Sequence, residues 1–367
     1  DLTDLVFIDP VSTGLSRVNP PEDASKFHEV GMDIDVTAEF IRAYIARDKR
    51  WSSPLYVAGE SYGTIRASGA VDVLQRRFSL PVTGTILISP AINTQVYRTT
   101  AGNDLPPMLT LPAMAVTAWY HKRIGPELRD APFETVLASA EEFAKGRYAR
   151  ALIEAAGLPD AERTAVATEM SKLIGIPVKE ILDRNLRVSA FDYTYLLMKD
   201  EKKTVGLLDS RYVGLPNDSP AHLFAAEYSY GLYDASIAVD SVFATAFNSY
   251  LTGELKFPGT DNYELLAQNV ASSWNWGQRA ANRFLYAADN LRAAMTLRPS
   301  MKVFVANGYY DLVTPHLGAQ YQVNHLGVPR ELMKNITVKF YRAGHMMYVH
   351  EESTRAMKGD LAAFYAK

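Results

Sequence analysis

Ser61 sits in the run Leu55-Tyr56-Val57-Ala58-Gly59-Glu60-Ser61-Tyr62-Gly63. An apolar stretch breaks there at Gly-x-Ser-x-Gly and a helical pattern follows, the arrangement that lifts a serine hydroxyl on a tight strand-to-helix turn. Such a turn requires small residues two before and two after the serine, and Gly59 and Gly63 supply them. After it, Thr64, Ala67, Ser68, Gly69 and Ala70 keep the helix thin, while Ile65, Val71, Leu74 and Phe78 give it apolar surface. A serine so placed can attack a carbonyl once a base takes its proton. The chain must therefore also supply a histidine and an acid that orients it.

Of seven histidines, His345 has the setting such a base needs. It follows the β-rich run Ile336-Thr337-Val338-Lys339-Phe340-Tyr341 and the turn Arg342-Ala343-Gly344, which puts it on a loop at a strand's end. His28 precedes a helical pattern, His121 and His222 lie in a helical middle region, and His316, His325 and His350 sit on or beside helices; structural or surface roles suit all six. Asp311 ends Met301 to Tyr310, a further strand that stops in a glycine-containing turn, and Thr314-Pro315 then opens a helix. Its other reading is an ordinary acidic turn residue.

The elements that must position these side chains are legible around them. Met32 to Arg47 carries Ile34, Ala38, Ile41 and Ile45 at helical spacing, and Gly84-Thr85-Ile86-Leu87-Ile88-Ser89-Pro90 reads as a strand closed by proline. From about Ala91 to Pro299 the pattern is helical, with breaks expected at Pro106-Pro107, Pro132, Gly157-Leu158-Pro159, Pro177 and Leu215-Pro216. Trp119, Tyr120, Phe243, Phe247, Tyr250, Trp274 and Trp276 fall in this region, as core residues or as pocket lining. Glu352 to Tyr365, with Met357, Leu361 and Phe364 on one stripe, reads as a closing helix.

Three blocks together, Gly59-Glu60-Ser61-Tyr62-Gly63, Asn307-Gly308-Tyr309-Tyr310-Asp311 and Gly344-His345-Met346, resemble the active-site blocks of the serine carboxypeptidase family, its bacterial branch above all. A fourth, Leu5 to Ser16 with Asp9-Pro10 at its centre, resembles the strand and loop upstream of the family's nucleophile. The blocks span nearly the whole chain and are least recognisable in the middle. The resemblance implies an α/β-hydrolase fold, a mostly parallel sheet flanked by helices, with residues 1–92 and 299–367 as the core and residues 93–298 as a large, mainly helical cap insertion. It also implies removal of single residues from peptides with a free C-terminus, through an acyl-enzyme.

Carried over position by position, the resemblance makes Ser61 the nucleophile, His345 the base and then the acid, and Asp311 the carboxylate that holds the imidazole. The Tyr62 backbone N–H would be one oxyanion donor. Glu60 would help bind the substrate's terminal carboxylate as part of a carboxyl pair sharing a proton, since two adjacent carboxyls do not both ionise and the protonated one can donate. That favours activity at acidic pH. No cofactor or metal is implied, and export to the periplasm or the medium is.

One departure stands beside the match. The family's glycine-rich segment, with the second oxyanion N–H, an asparagine for the substrate carboxylate and the partner carboxyl of Glu60, normally precedes the Asp9-Pro10 block and is not in this sequence. Leu5 to Ile8 is expected to be an interior strand, so the strands flanking it, and the missing segment, are expected on a longer precursor or an associated chain. An esterase or acyltransferase on the same three residues is an open alternative, as is a catalytically silent binding or structural protein.

Composition narrows the classes. The 367 residues are 48% apolar with a net charge of −3, which gives no footprint for nucleic acid, and no run approaches the roughly 20 apolar residues of a membrane span. With no cysteine, disulfides, thiol catalysis and cysteine-ligated metals are excluded.

Overall fold

Strand β1 (Tyr56–Glu60) forms one edge of a four-stranded parallel sheet in the computed structural model, which describes residues 2–216, 234–259, 263–277 and 284–366. Next to it lies β2 (Gly84–Ile88). A two-stranded ribbon in the insertion, β3 (Thr204–Val205) with β4 (Val213–Gly214), stands apart from the sheet. Strands β5 (Lys302–Gly308) and β6 (Ile336–Tyr341) complete the order β1-β2-β5-β6. The register aligns Glu60 with Ile88, Ile88 with Ala306 and Ala306 with Lys339. All four strands therefore release their following loops along one carboxyl edge, where open α/β sheets place their chemistry.

Alternation along the strands sends side chains to two cores. Val57, Leu87, Val303 and Val305 face helices α1 (Val30–Arg47), α2 (Tyr62–Arg76) and Ala288–Leu297. Ile86, Phe304 and Ala306 face the closing helix Glu351–Ala366, which buries Met357 and Phe364 against them. The small residues of α2 serve a close approach to α1. A Cβ on Gly69 would lie 2.3 Å from Ile34 Cδ1.

The insertion between β2 and β5 is mostly helical among the described residues and builds a second core around helix α3 (Leu105–Tyr120), which Tyr310, Leu312 and Leu317 join from beyond β5. Buried tyrosines tie that core together: Tyr148 donates to the Leu186 carbonyl and Tyr193 to the Met114 carbonyl, each at 2.7 Å. Pro106 and Pro107 do not break a helix here. They occupy the first turn of α3, where a missing N–H leaves no bond unmade.

Two other expectations are corrected. Leu5 to Ile8 forms no strand: β1's outer edge has no partner among the described residues, and Phe7 is 87% exposed. The segment does not pair with that free edge, and without a ladder its apolar side chains stay in solvent. Phe243, Phe247 and Tyr250, on helix Asp240–Gly253, are exposed and do not build a core, and Tyr120 and Trp276 are exposed as well. His222 lies outside the described residues. No helix among the described residues is long and apolar enough to cross a membrane.

Candidate active site

The turn at Ser61 is tight on the side of Gly59 alone: a Cβ on Gly63 would meet nothing within 4 Å, so the expectation that Gly63 must be small is corrected. Ser61 has φ 52° and ψ −122°, a conformation L-residues rarely adopt, and a Cβ on Gly59 would lie 2.0 Å from the Gly63 carbonyl oxygen. The Ser61 N–H donates to the Ile88 carbonyl at 2.9 Å, which fixes the turn to β2. Thr64 closes it from the helix side, its Oγ1 donating to the Ser61 carbonyl at 2.6 Å and accepting from the Ala91 N–H. Tyr62 is the first residue of α2, so its N–H has no carbonyl a turn earlier to bond and is available to an anion at the helix N-terminus. Gly59→Ala should destabilise the fold by about 1–3 kcal/mol through overpacking, read as a lowered urea midpoint at unchanged slope. An unchanged midpoint would contradict the close approach.

Asp311 and His345 meet where β5 and β6 end. His345 Nδ1 donates to Asp311 Oδ2 at 2.7 Å, and both side chains are buried. The Val313 and Thr314 N–H groups donate to Asp311 Oδ1 at 2.8 and 2.9 Å, while Thr314 Oγ1 donates to Oδ2 at 2.6 Å and lies 3.2 Å from His345 Nδ1. The carboxylate is thus held by three donors besides the imidazole, which fixes the plane in which it meets His345. Burial pulls the His345 pKa down, but the Asp311 carboxylate, the bond to it and the nearby Glu60 outweigh burial and hold the imidazole above its ordinary value.

The His345 loop is gripped through its backbone. Ser89 Oγ, at the end of β2, donates to the His345 carbonyl at 2.8 Å, and the His345 N–H donates to the Leu208 carbonyl at 2.7 Å. Leu208 belongs to the connection between β3 and β4, whose Leu207 and Leu208 N–H groups both donate to Asp234. The fit is close: a Cβ on Gly344 would lie 2.4 Å from Asp209 Cβ, and one on Gly308 would lie 2.1 Å from the Gly344 carbonyl.

Glu60, half-buried beside the serine, accepts a 2.8 Å hydrogen bond from the Tyr348 hydroxyl. Burial raises its carboxyl pKa, Asp311 adds to the rise, and His345 and the Tyr348 bond only partly offset it. Among the described residues no second carboxyl is bonded to it. The ring of Tyr62 stands edge-on to Trp274 and Trp276, with centroids 5.1 and 6.0 Å away, and its hydroxyl donates to Asp33, which also pairs with Arg66.

Glu60, Ser61, Tyr62, Asp311 and His345 therefore lie along one sheet edge, with Asp311 and His345 in direct contact. Among the described residues no hydrogen bond joins the Ser61 hydroxyl to His345, a bond that commonly tightens only when substrate is bound. The supports Ser89, Leu208, Thr314 and Tyr348 escape sequence reasoning. Only Thr314 carries a local signal, a hydroxyl three residues from the acid it caps. The other histidines have other work: His121 bonds the Ser210 carbonyl, His316 pairs with Glu141, and His28 bonds Ser273. Among the described residues no group of three or more histidine or carboxylate side chains converges as a metal site. No protein-family model matches the chain, and neither does any curated protein or solved structure.

Proposed function

We propose that the chain is a serine carboxypeptidase of α/β-hydrolase type. The observation that carries the reading is the buried His345–Asp311 pair at the same sheet edge as Ser61, a serine held in a left-handed turn at a helix N-terminus with a carboxyl of raised pKa next to it.

In this reading His345 Nε2 takes the Ser61 proton as Oγ attacks the carbonyl of the last peptide bond. Asp311, accepting from Nδ1, keeps Nε2 free to act as the base and stabilises the imidazolium. The Tyr62 N–H faces the developing oxyanion. His345 then gives the proton to the leaving amine, which departs as the C-terminal amino acid. Water attacks the acyl-Ser61 ester with His345 again taking a proton, and its return to Oγ frees the acid product. Glu60, when protonated, donates to the terminal carboxylate, and Tyr348 shares the task of placing it.

The test is hydrolysis of an N-blocked dipeptide against its C-terminal amide and methyl ester, across pH, with wild type and Glu60→Gln. Preference for the free acid should fall as pH rises through the raised Glu60 pKa, and Glu60→Gln should remove that limb. Because Glu60 also raises His345, the substitution should move the acid limb to lower pH. Stability carries the same sign. A carboxyl whose folded pKa is raised contributes most below its unfolded value, about pH 4, and that contribution is lost as pH rises through the folded value. Glu60→Gln should therefore melt higher than wild type at pH 7 and no higher at pH 4. Hydrolysis of the methyl ester alone, with the free acid and the amide left intact at every pH, would move the reading to an esterase.

A further inference from the structure

The helical insertion, with Leu312 from beyond β5, lines a cleft of about 600 Å³, within the roughly 300–1,000 Å³ range of small-molecule sites. None of Ser61, Asp311 or His345 lines it. Most of its wall is apolar, with Pro106, Pro107, Ala151, Leu186 and Leu312 presenting carbon. Two arginines, Arg163 and Arg187, also line it, and no Asp or Glu does.

The two arginines differ in what they have left to offer. Arg187 is engaged by Asp104, from Nε to Oδ1 at 2.6 Å and from Nη2 to Oδ2 at 2.8 Å. Arg163 gives only Nη2 to the protein, to the Leu182 carbonyl at 3.1 Å and Asn185 Oδ1 at 2.7 Å. Its Nε and Nη1 have no protein partner among the described residues, and no carboxylate there neutralises it. The wall is also strained. Ala155, Asn185 and Leu186 have φ of 46°, 51° and 66°, in a region that non-glycine residues seldom occupy, and Leu186 is held there by the Tyr148 hydroxyl on its carbonyl. Strain of this kind gathers at ligand clamps.

We propose that this cleft binds an organic monocarboxylate with an apolar body, the carboxylate on Arg163 and the body against the Pro106, Pro107, Ala151 and Leu186 wall. One uncompensated cation matches a single negative charge, and the planar guanidinium fork matches a carboxylate in shape. The apolar wall accounts for the rest of the ligand by burial.

Octanoate is the probe, titrated calorimetrically into the full chain, with octanamide as its neutral counterpart. One saturable octanoate site is expected, together with a raised melting temperature. Arg163→Ala should weaken octanoate at least tenfold and leave octanamide unchanged, and Arg163→Lys should fall between, since an ammonium lacks the fork. Ser61→Ala should bind octanoate as wild type does, while the Arg163 substitutions, at a residue that lines this cleft where none of Ser61, Asp311 and His345 does, locate the binding here. Circular dichroism checks that the Arg163 variants fold, and the octanoate-to-octanamide ratio on wild type reads the same contact without any variant. Absence of saturable octanoate binding, equal affinity in wild type and Arg163→Ala, equal affinity for octanoate and octanamide, or loss of binding in Ser61→Ala would overturn the proposal.

Discussion

Ser61→Ala is expected to lower kcat by about 10⁶-fold and to abolish labelling by a fluorophosphonate, with the fold intact. The size of the effect follows from the chemistry. Without Oγ no acyl-enzyme forms, and only the helix N-terminus and substrate binding can act on an attacking water. The absence of a structural penalty follows from the geometry. The strained φ of 52° is borne by any residue with a Cβ, and the Ser61 hydroxyl has no hydrogen bond to lose among the described residues. Stability should hold within about 0.5 kcal/mol, measured by urea denaturation alongside the assay. Wild-type turnover in Ser61→Ala would end the serine hydrolase reading. Turnover absent in wild type as well, with no label on Ser61, would favour a silent relative.

Asp311→Asn should lower kcat by about 10⁴-fold while leaving substrate binding nearly unchanged. The hydrogen bonds around Asp311 decide which way an asparagine turns. Two backbone N–H groups point at Oδ1, so the amide oxygen takes that position and the NH₂ group faces His345. His345 Nδ1 must then accept, its proton moves to Nε2, and the nitrogen that should receive the Ser61 proton is already occupied. Thr314 Oγ1, which donates to Oδ2, would have to turn and accept as well. Removing the negative charge also removes the main influence raising His345, so the residual activity should show its acid limb at lower pH than wild type. A loss of less than tenfold would mean that the imidazole is oriented by something other than Asp311.

How much of this was legible in the chain depended on whether the signal was local. Ser61, Asp311 and His345 each follow an apolar run that stops at a glycine, and a strand that ends in a glycine turn at the carboxyl edge is a local pattern with one geometric outcome. Helices α1 and Glu351–Ala366 were readable for the same reason, because an apolar stripe at helical spacing needs a sheet face and both faces are present. Leu5 to Ile8 has the composition of an interior strand, but a strand is completed by its neighbour, and no sequence window contains the neighbour. Phe243 and Phe247 failed likewise, since periodicity shows that a helix has an apolar face and not what covers it. The supports of the site come from residues 256 positions away for Ser89 on His345 and 288 for Tyr348 on Glu60, and only the folded chain brings them together.

The contact between His345 and Leu208 gives the insertion an uneven licence to change over evolutionary time. Where its helices pair only exposed side chains with one another, as Arg147 does with Glu162 and Glu169, they can drift or exchange residues at little cost. The short connection from Leu207 to Ser210 cannot follow them, because it takes the His345 N–H, meets Gly344 too closely for any larger residue, and donates the Ser210 N–H to the Tyr310 carbonyl beside Asp311. On the proposed reading, a lineage that changed what the insertion recognises would do so around a small fixed point shared with the His345 loop.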